Sequence, residues 1–292
     1  MGPRIGIIGG SGLGQTLEAE VGGREVQVDT PFGRPSGPIL VTRWAGVEIA
    51  FLSRHGPGHL LNPSAVPYRA NVFAFKTLGV THILASGATG SLREEVEPRH
   101  LVICDQVIDK TFKRAGTFFD DNLVAHVEYA EPFCPKLRRL LIEAGREVET
   151  VVHPRGTYVC MEGPQFSTLA ESRMHRDWGG DLIGMTCLPE AKLAREAEIS
   201  YALIALPTDY DCWRPHEPGK SRQALLAEII GNLKAVTDHG IALLRAAVPM
   251  LARQLDEKWP YDDALAMAIW SDKSKVSPAV VERLRPLIGR YF

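Results

Sequence analysis

Tyr201-Ala202-Leu203-Ile204-Ala205-Leu206 runs directly into Pro207-Thr208-Asp209-Tyr210-Asp211-Cys212-Trp213. The apolar half reads as a buried strand. Two carboxylates follow at i and i+2. If strand geometry continues, both side chains turn to one side, at the strand end where open α/β sheets gather their ligands. Like charges held close resist double ionisation, so one carboxyl of such a pair can keep a proton near neutral pH and hand it to a leaving group. Read in isolation, the same residues also suit a solvated turn capped by Asp209, or a metal-nucleotide DxD.

Working outward, residues 5–8, 47–53, 81–86, 101–105, 157–161 and 182–185 are further short runs rich in Ile, Val and Leu. Helical patterns lie between several of them, at 66–78, 136–144, 168–178 and 189–198. Strands alternating with helices predict an α/β fold, with a mixed, largely parallel central sheet covered by helices on both faces. Residues 221–251 read as one long amphipathic helix, broken by Trp259-Pro260-Tyr261-Asp262. Two shorter helices are expected at 263–270 and 278–289, the second opened by Ser277 as N-cap with Pro278 behind it. No repeat or low-complexity linker divides the chain.

Composition excludes several function classes. The 292 residues carry Lys+Arg 33 against Asp+Glu 35, a net charge of -2 without a basic cluster. A nucleic-acid or anionic-membrane partner therefore lacks its electrostatic footprint, whereas a small anion needs only a local site. The N-terminus enters a strand-like run at once, without a signal peptide's apolar core, and no stretch of 18 apolar residues occurs. Five widely spread cysteines with no CxxC argue against zinc clips and a disulfide framework. A cytoplasmic protein without a metal is expected.

Other strand ends carry chemistry too. Gly6-Ile7-Ile8-Gly9-Gly10-Ser11-Gly12 could present backbone amides and a hydroxyl to an anion, but Gln15 stands where a dinucleotide fingerprint wants its third glycine. Gly219-Lys220-Ser221 ends like a P-loop, yet Arg214 occupies the position of its first glycine. Ser53-Arg54-His55-Gly56-Pro57-Gly58-His59 places Arg54 and His55 at a strand end, suited to phosphate; taken alone, Arg54 reads better as a surface salt bridge. Gly-Pro-Gly between His55 and His59 forbids a two-His helical metal face. Ser86-Gly87-Ala88-Thr89-Gly90-Ser91, Met161 through Ser167, and Gly184-Met185-Thr186 also terminate strands. Polar and aromatic groups at so many strand ends fit one composite ligand site better than unrelated loops.

At this level of detail the chain resembles the 5′-methylthioadenosine phosphorylases of the purine nucleoside phosphorylase superfamily. The resemblance is carried by Gly9-Gly10-Ser11-Gly12, Thr30-Pro31-Phe32-Gly33-Arg34-Pro35-Ser36, Arg54-His55-Gly56, Asn62-Pro63-Ser64, Gly90-Ser91-Leu92-Arg93-Glu94-Glu95, Ala130-Glu131-Pro132-Phe133-Cys134-Pro135, Glu162-Gly163-Pro164, Met185-Thr186 and Thr208 through Trp213. It runs from about residue 4 to about 250. It implies a nucleoside phosphorylase domain over 1–250 and a helical extension over 251–292 that packs on the body or on a neighbouring subunit. It also implies a homotrimer, with a hexamer as the alternative. The implied reaction is cleavage of a 5′-modified adenosine by inorganic phosphate, giving adenine and a ribose 1-phosphate, a step of purine and methionine salvage. Phosphate is then a co-substrate, and no cofactor is called for.

Carried over by position, the resemblance gives phosphate to Ser11, Arg54, His55, Gly87, Ala88 and Thr186. It lays Met185 against the ribose and borders the base with Phe166, Ser167 and Tyr210. Asp209 and Asp211 read adenine, with Asp209 as the acid at N7. His126 reaches a neighbouring subunit's site near the 5′ group. An ungapped count from Asp209 puts Arg222 and Leu225 at the 5′ pocket. A helix beginning near Ser221 instead turns Arg222 to solvent or to Glu228, the reading favoured because an unpaired guanidinium beside a thioether is costly to bury. The chemistry agrees: breaking a ribosyl-purine bond leaves positive charge on the sugar and negative charge on the base, so a phosphate on one side and a protonated carboxyl on the other both lower the barrier. An acceptor-rich Asp pair favours the 6-amino group of adenine.

Gly87 lacks a hydroxyl usual in this family, Gly184 lacks an amide, and Arg222 stands where a small apolar side chain is usual. The alternatives are a phosphorylase for 5′-deoxyadenosine, adenosine or 6-oxopurine nucleosides, a hydrolytic nucleosidase, and a non-catalytic nucleoside-binding protein.

Overall fold

A computed structural model of the chain describes residues 2–20, 22–215, 219 and 221–292. Strand β1 (Ile5–Gly9) runs parallel between β4 (Val47–Ser53) and β5 (His82–Ser91). The sheet forks at β5. Along most of its length it pairs in parallel with β11 (Ser200–Tyr210), but Gly90 and Ser91 also pair antiparallel with β10 (Leu182–Gly184). One branch continues in parallel through β9 (Thr157–Met161) to β7 (Gln106–Lys110). The other passes antiparallel to β6 (Leu101–Ile103), which pairs with β8 (Val152–His153). At the far edge, β3 (Ile39–Trp44) and β2 (Arg24–Val26) add antiparallel pairs.

The apolar runs identified from sequence lie on β1, β4, β5, β6, β9, β10 and β11. Five elements were not expected from sequence: β2, β3, β7, β8 and the helix α1 (Leu13–Glu20). A tight turn joins β3 to β4, with Ala45 and Gly46 both at positive φ, the backbone of a short antiparallel hairpin. β7 has few apolar residues to announce it, and α1 starts inside the glycine-rich loop.

Helices cover both faces, as alternation requires. One core layer packs Leu13, Leu137, Leu140, Leu244 and Leu251 from α1, α3 (Pro135–Ala144) and α6 (Arg222–Ala252) against Ile5, Ile7 and Ile204. The other packs Val72, Phe73, Leu193 and Ala194 from α2 (Tyr68–Thr77) and α5 (Glu190–Glu196) against Ile8, Ile83 and Leu203. The segment after α6 contributes Trp259 to the first layer and Leu265, Leu284, Leu287 and Ile288 to the second. It therefore lies on the body of its own chain. The helix expected at 263–270 is a series of turns, and Ala125 forms an isolated antiparallel bridge with Ile269. The helix expected at 278–289 is split into α7 (Pro278–Arg283) and α8 (Arg285–Ile288), the second with Pro286 in its first turn. Ser277 caps α7 by accepting from the Val280 N–H.

At the end of α5, Glu196 is buried and accepts hydrogen bonds at 2.7 Å from Thr117 Oγ1 and the Phe118 N–H. Burial nevertheless raises its carboxyl to about 7. Because the folded pKa lies above the unfolded one, the stabilisation is fully present below about 4.5 and is lost as pH rises through about 7. Relative to Glu196→Gln, which stays neutral, the wild type should lose on the order of 3 kcal/mol across that window. Urea denaturation of both proteins at each end of the window tests this; parallel curves would contradict it.

Candidate active site

The forked sheet leaves a cleft of about 710 Å³ at the carboxyl ends of its strands. Its lining comes from Gly10 and Ser11 after β1, His55 after β4, Gly87 through Gly90 in β5, Met161 in β9, Gly184 through Thr186 at β10, and Thr208 through Cys212 at β11. Phe166 and Ser167 border it from the loop before α4 (Leu169–Asp177), and Ile229 and Leu233 close it from α6. Ser11, His55, Gly87, Ala88, Thr186, Phe166, Ser167, Met185, Asp209, Tyr210 and Asp211 thus come together in one place. Arg54, Arg222, Leu225 and His126 do not line it.

Arg54 is fully buried behind the cleft floor. Its Nε and Nη2 each donate to Glu190 at 2.7 Å as a bidentate fork, and Nη1 donates to the Ser86 carbonyl at 2.7 Å. Burial disfavours the charge, but Glu190 overcomes it and holds the guanidinium firmly cationic. The surface salt bridge considered from sequence is therefore an interior one. A Cβ on Gly10 would lie 2.9 Å from Nη1, so only a glycine separates this cation from the cleft. Glu190 was not singled out from sequence because its role appears only across a sequence separation of 136. Tyr201 also donates to it, at 2.8 Å.

His55 faces the cleft as a neutral ring. Its Nδ1 donates to the Leu61 carbonyl at 2.7 Å, which leaves Nε2 as an acceptor in the neutral ring. Burial, then the nearby Arg54 charge, lower its pKa to about 4. The His59 ring lies beside it, tilted by 31° with ring centroids 4.3 Å apart.

The carboxylate pair sits on an irregularity. β11 extends past Leu206 through Tyr210, and its register against β5 slips between Pro207 and Asp209, a bulge that re-aims the side chains beyond it. Asn232 of α6 braces the bulge, donating to the Thr208 carbonyl at 2.9 Å while accepting from Arg99 at 2.7 Å. Thr208 Oγ1 donates to Asp209 Oδ1 at 2.6 Å. Asp211 is buried, and its backbone N–H donates to the Ser91 carbonyl at 2.9 Å. The Tyr210 hydroxyl turns away to the Glu94 carbonyl.

The departures at Gly87 and Gly184 have different local causes. A Cβ on Gly87 would meet only Thr186 Oγ1, at an ordinary 3.6 Å, so the space for a side chain exists and is open. A Cβ on Gly184 would fall 2.0 Å from the hydroxyl of Tyr158, a buried residue of β9. Tyr158 occupies that side chain's place, and the Thr186 N–H donates to its hydroxyl at 3.5 Å. Arg114, also missed from sequence, pins the Met185 turn by donating to the Met185 carbonyl at 2.5 Å and the Leu188 carbonyl at 2.6 Å while pairing with Glu162.

Arg222 is exposed at the first residue of α6, and Leu225 is half-buried outside the cleft. The apolar wall is formed instead by Ile229 and Leu233, further along the helix. His126 is exposed, with its ring 4.7 Å from that of Trp270. Lys220, part of the P-loop-like stretch, lies outside the described residues. Among the described residues no group of three or more His, Cys, Asp or Glu could hold a metal ion, and no helix is long and apolar enough to cross a membrane.

Comparison with known proteins agrees with this geometry. Residues 4–248 match the model of the phosphorylase superfamily. S-methyl-5′-thioadenosine phosphorylase of Chloroflexus aurantiacus is 47% identical over 99% of this chain and 98% of its own, and that of Synechocystis is 47% identical over 99% and 87%. Among solved structures, a methylthioadenosine phosphorylase from an antarctic soil metagenomic library superposes with a TM-score of 0.89 at 45% identity, covering 98% of this chain and 99% of that one. A single-substitution variant of the adenosine/methylthioadenosine phosphorylase of Schistosoma mansoni, solved with methylthioadenosine, superposes at 0.81 and 37% identity, covering 93% and 99%.

Proposed function

This chain belongs to the phosphorylase superfamily, and we propose that its cleft catalyses phosphorolysis of 5′-methylthioadenosine to adenine and 5-methylthioribose 1-phosphate. The observation that carries the proposal is the meeting, in one cleft, of the Asp209 and Asp211 carboxylates with the backbone and hydroxyl groups of Ser11, Gly87, Ala88 and Thr186. A phosphate oxygen bonds to C1′ as the C1′–N9 bond breaks, and the bonding pair leaves with the purine. Asp209 supplies the proton that N7 takes up, and the phosphate charge stabilises the sugar cation. Arg54 adds positive potential from behind Gly10, organised by Glu190. Neutral His55 accepts at Nε2 from a ribose hydroxyl or the hydroxyl of hydrogen phosphate. Met185 packs on the ribose, and Phe166, Ser167 and Tyr210 border the base. No cofactor enters this chemistry.

The 5′ group lies against Ile229 and Leu233. Shortening Leu233 to Ala should lower kcat/KM for methylthioadenosine by roughly tenfold more than for adenosine, the usual scale for lost apolar pocket contacts. Arg222→Val should leave the order of the two substrates unchanged; a selective gain for methylthioadenosine would place Arg222 in the pocket after all. The reading as a whole is tested by comparing adenine release from methylthioadenosine with hypoxanthine release from inosine. Preferred release of hypoxanthine would assign the cleft to 6-oxopurine nucleosides instead.

We assign the protein to the cytoplasm, to purine and methionine salvage, and to a homotrimer in which His126 approaches the neighbouring subunit's 5′ site; a hexamer is the alternative. The exposed His126 and Trp270 pair supports this placement. Sedimentation equilibrium distinguishes the assemblies.

A further inference from the structure

Three walls of the cleft are tied to one buried ion pair that stands behind them. Arg114 comes shortly after β7 and Glu162 directly after β9; neither lines the cleft, and their side chains are 1% and 6% exposed. Arg114 Nη1 donates to the Met185 carbonyl at 2.5 Å and the Leu188 carbonyl at 2.6 Å, Nη2 donates to the Glu162 carbonyl at 2.6 Å, and Nε donates to Glu162 Oε1 at 3.2 Å. The planar fork thus fastens the turn through Met185 and Thr186 to the start of the segment that carries Phe166 and Ser167. Glu162 reaches the third wall. Its Oε1 accepts from the Ser64 hydroxyl, while Oε2 accepts from the Phe112 N–H at 2.7 Å. Ser64 ends the stretch from Leu60 to Pro63 that lines the cleft, and the Leu61 carbonyl in that stretch accepts from His55 Nδ1. The packing leaves little slack: a Cβ on Gly163, at φ 67°, would lie 2.5 Å from Met185 Sδ.

We propose that Arg114 and Glu162 are positioning residues: the pair sets the spacing of the Met185–Thr186 turn, the segment over 162–167 and the stretch over 60–64, and so aligns the phosphate held by the Thr186 hydroxyl with the ribose held by Met185. This rests on the reading of the cleft as a phosphorolysis site. Both side chains are occupied by protein partners outside the cleft, so neither exchanges a proton with the reactants. Their contribution is alignment, and alignment acts steeply on rate: an ångström of misplacement can cost about 10²-fold. The role also calls for an arginine, since a single ammonium cannot reach two carbonyls and a carboxylate at once.

The test measures kcat and KM for phosphate and for methylthioadenosine, together with urea denaturation, in wild type, Arg114→Lys, Thr186→Val and the double variant. Lys keeps a positive charge beside Glu162 but loses the fork. Arg114→Lys should lower kcat/KM for phosphate by about 10²-fold. In the Thr186→Val background no hydroxyl remains to be aligned, so the same Lys substitution should cost at least about tenfold less there, the mark of two residues acting through one contact. A residue that only supports the fold would lower stability and give equal losses in both backgrounds. That result, or wild-type kinetics in folded Arg114→Lys, would overturn the inference while leaving the reaction assignment intact. If Arg114→Lys does not fold, Ser64→Ala decides. It cuts only the tie to the stretch over 60–64, at a half-buried side chain, and should lower kcat/KM for phosphate by roughly tenfold, the scale of one hydrogen bond to a charged group. Wild-type kinetics in Ser64→Ala would overturn the inference. A wild-type protein that releases no adenine with phosphate present would overturn the reaction assignment and the inference together.

Discussion

Asp209→Asn should lower turnover on adenine nucleosides by on the order of 10² or more, the usual contribution of a positioned general acid. The side chain lines the cleft, accepts from Thr208 Oγ1 and sits beyond a bulge braced by Asn232. Asn is nearly isosteric, so the bulge and its bracing persist, and what is lost is the proton. An amide at 209 offers N–H donors rather than a transferable proton, so the purine must leave as an anion held only by hydrogen bonds. The same donors can pair with a 6-oxopurine, so the remaining activity should shift toward those nucleosides. The loss should appear in kcat more than in KM, because proton donation is realised only in the transition state. Unchanged kcat and unchanged base preference would remove Asp209 from the mechanism.

Arg54→Met should cost about 3–5 kcal/mol of stability and raise the KM for phosphate sharply. The stability loss comes from Glu190, left fully buried without its bidentate partner and with the Tyr201 hydroxyl still pointing at it. Adding Glu190→Leu removes that stranded charge, so the double variant should regain most of the stability while phosphate binding stays weak. Arg54→Lys should rescue little, since an ammonium cannot span both carboxylate oxygens and also reach the Ser86 carbonyl. Denaturation and phosphate saturation curves on the three variants separate the two roles. If the double variant recovers stability and phosphate affinity together, Arg54 is a structural residue and contributes no potential to the anion site.

Much of this arrangement is legible in the chain because strand ends announce themselves. Apolar runs stop at Ser53, Met161 and Gly184, and polar or flexible residues begin there, so local composition reveals both the sheet and the side on which chemistry collects. What local pattern does not carry is pairing across the fold. Arg54 is conspicuous, but Glu190 looks like any acidic residue opening a helix until α5, packed on α2 and β11, brings it to Arg54. Gly184 reads as a missing amide until Tyr158 on the adjacent strand is seen filling its place. Counting forward from Asp209 put Leu225 in the 5′ wall, whereas the position and phase of α6 turn Ile229 and Leu233 to the cleft and leave Arg222 exposed. The helical spacing of 263–270 was overruled by tertiary contacts: Leu265 anchors in the core, its N–H held by Glu198, and Ile269 bridges to Ala125.

Phosphate as the nucleophile is the central claim of the proposed reaction. Adenine release from methylthioadenosine by the purified full-length protein should require inorganic phosphate, saturate with it and yield one ribose 1-phosphate per adenine. Adenine released at the same rate in phosphate-free buffer, with free methylthioribose as the product, would contradict it and make the enzyme a hydrolase.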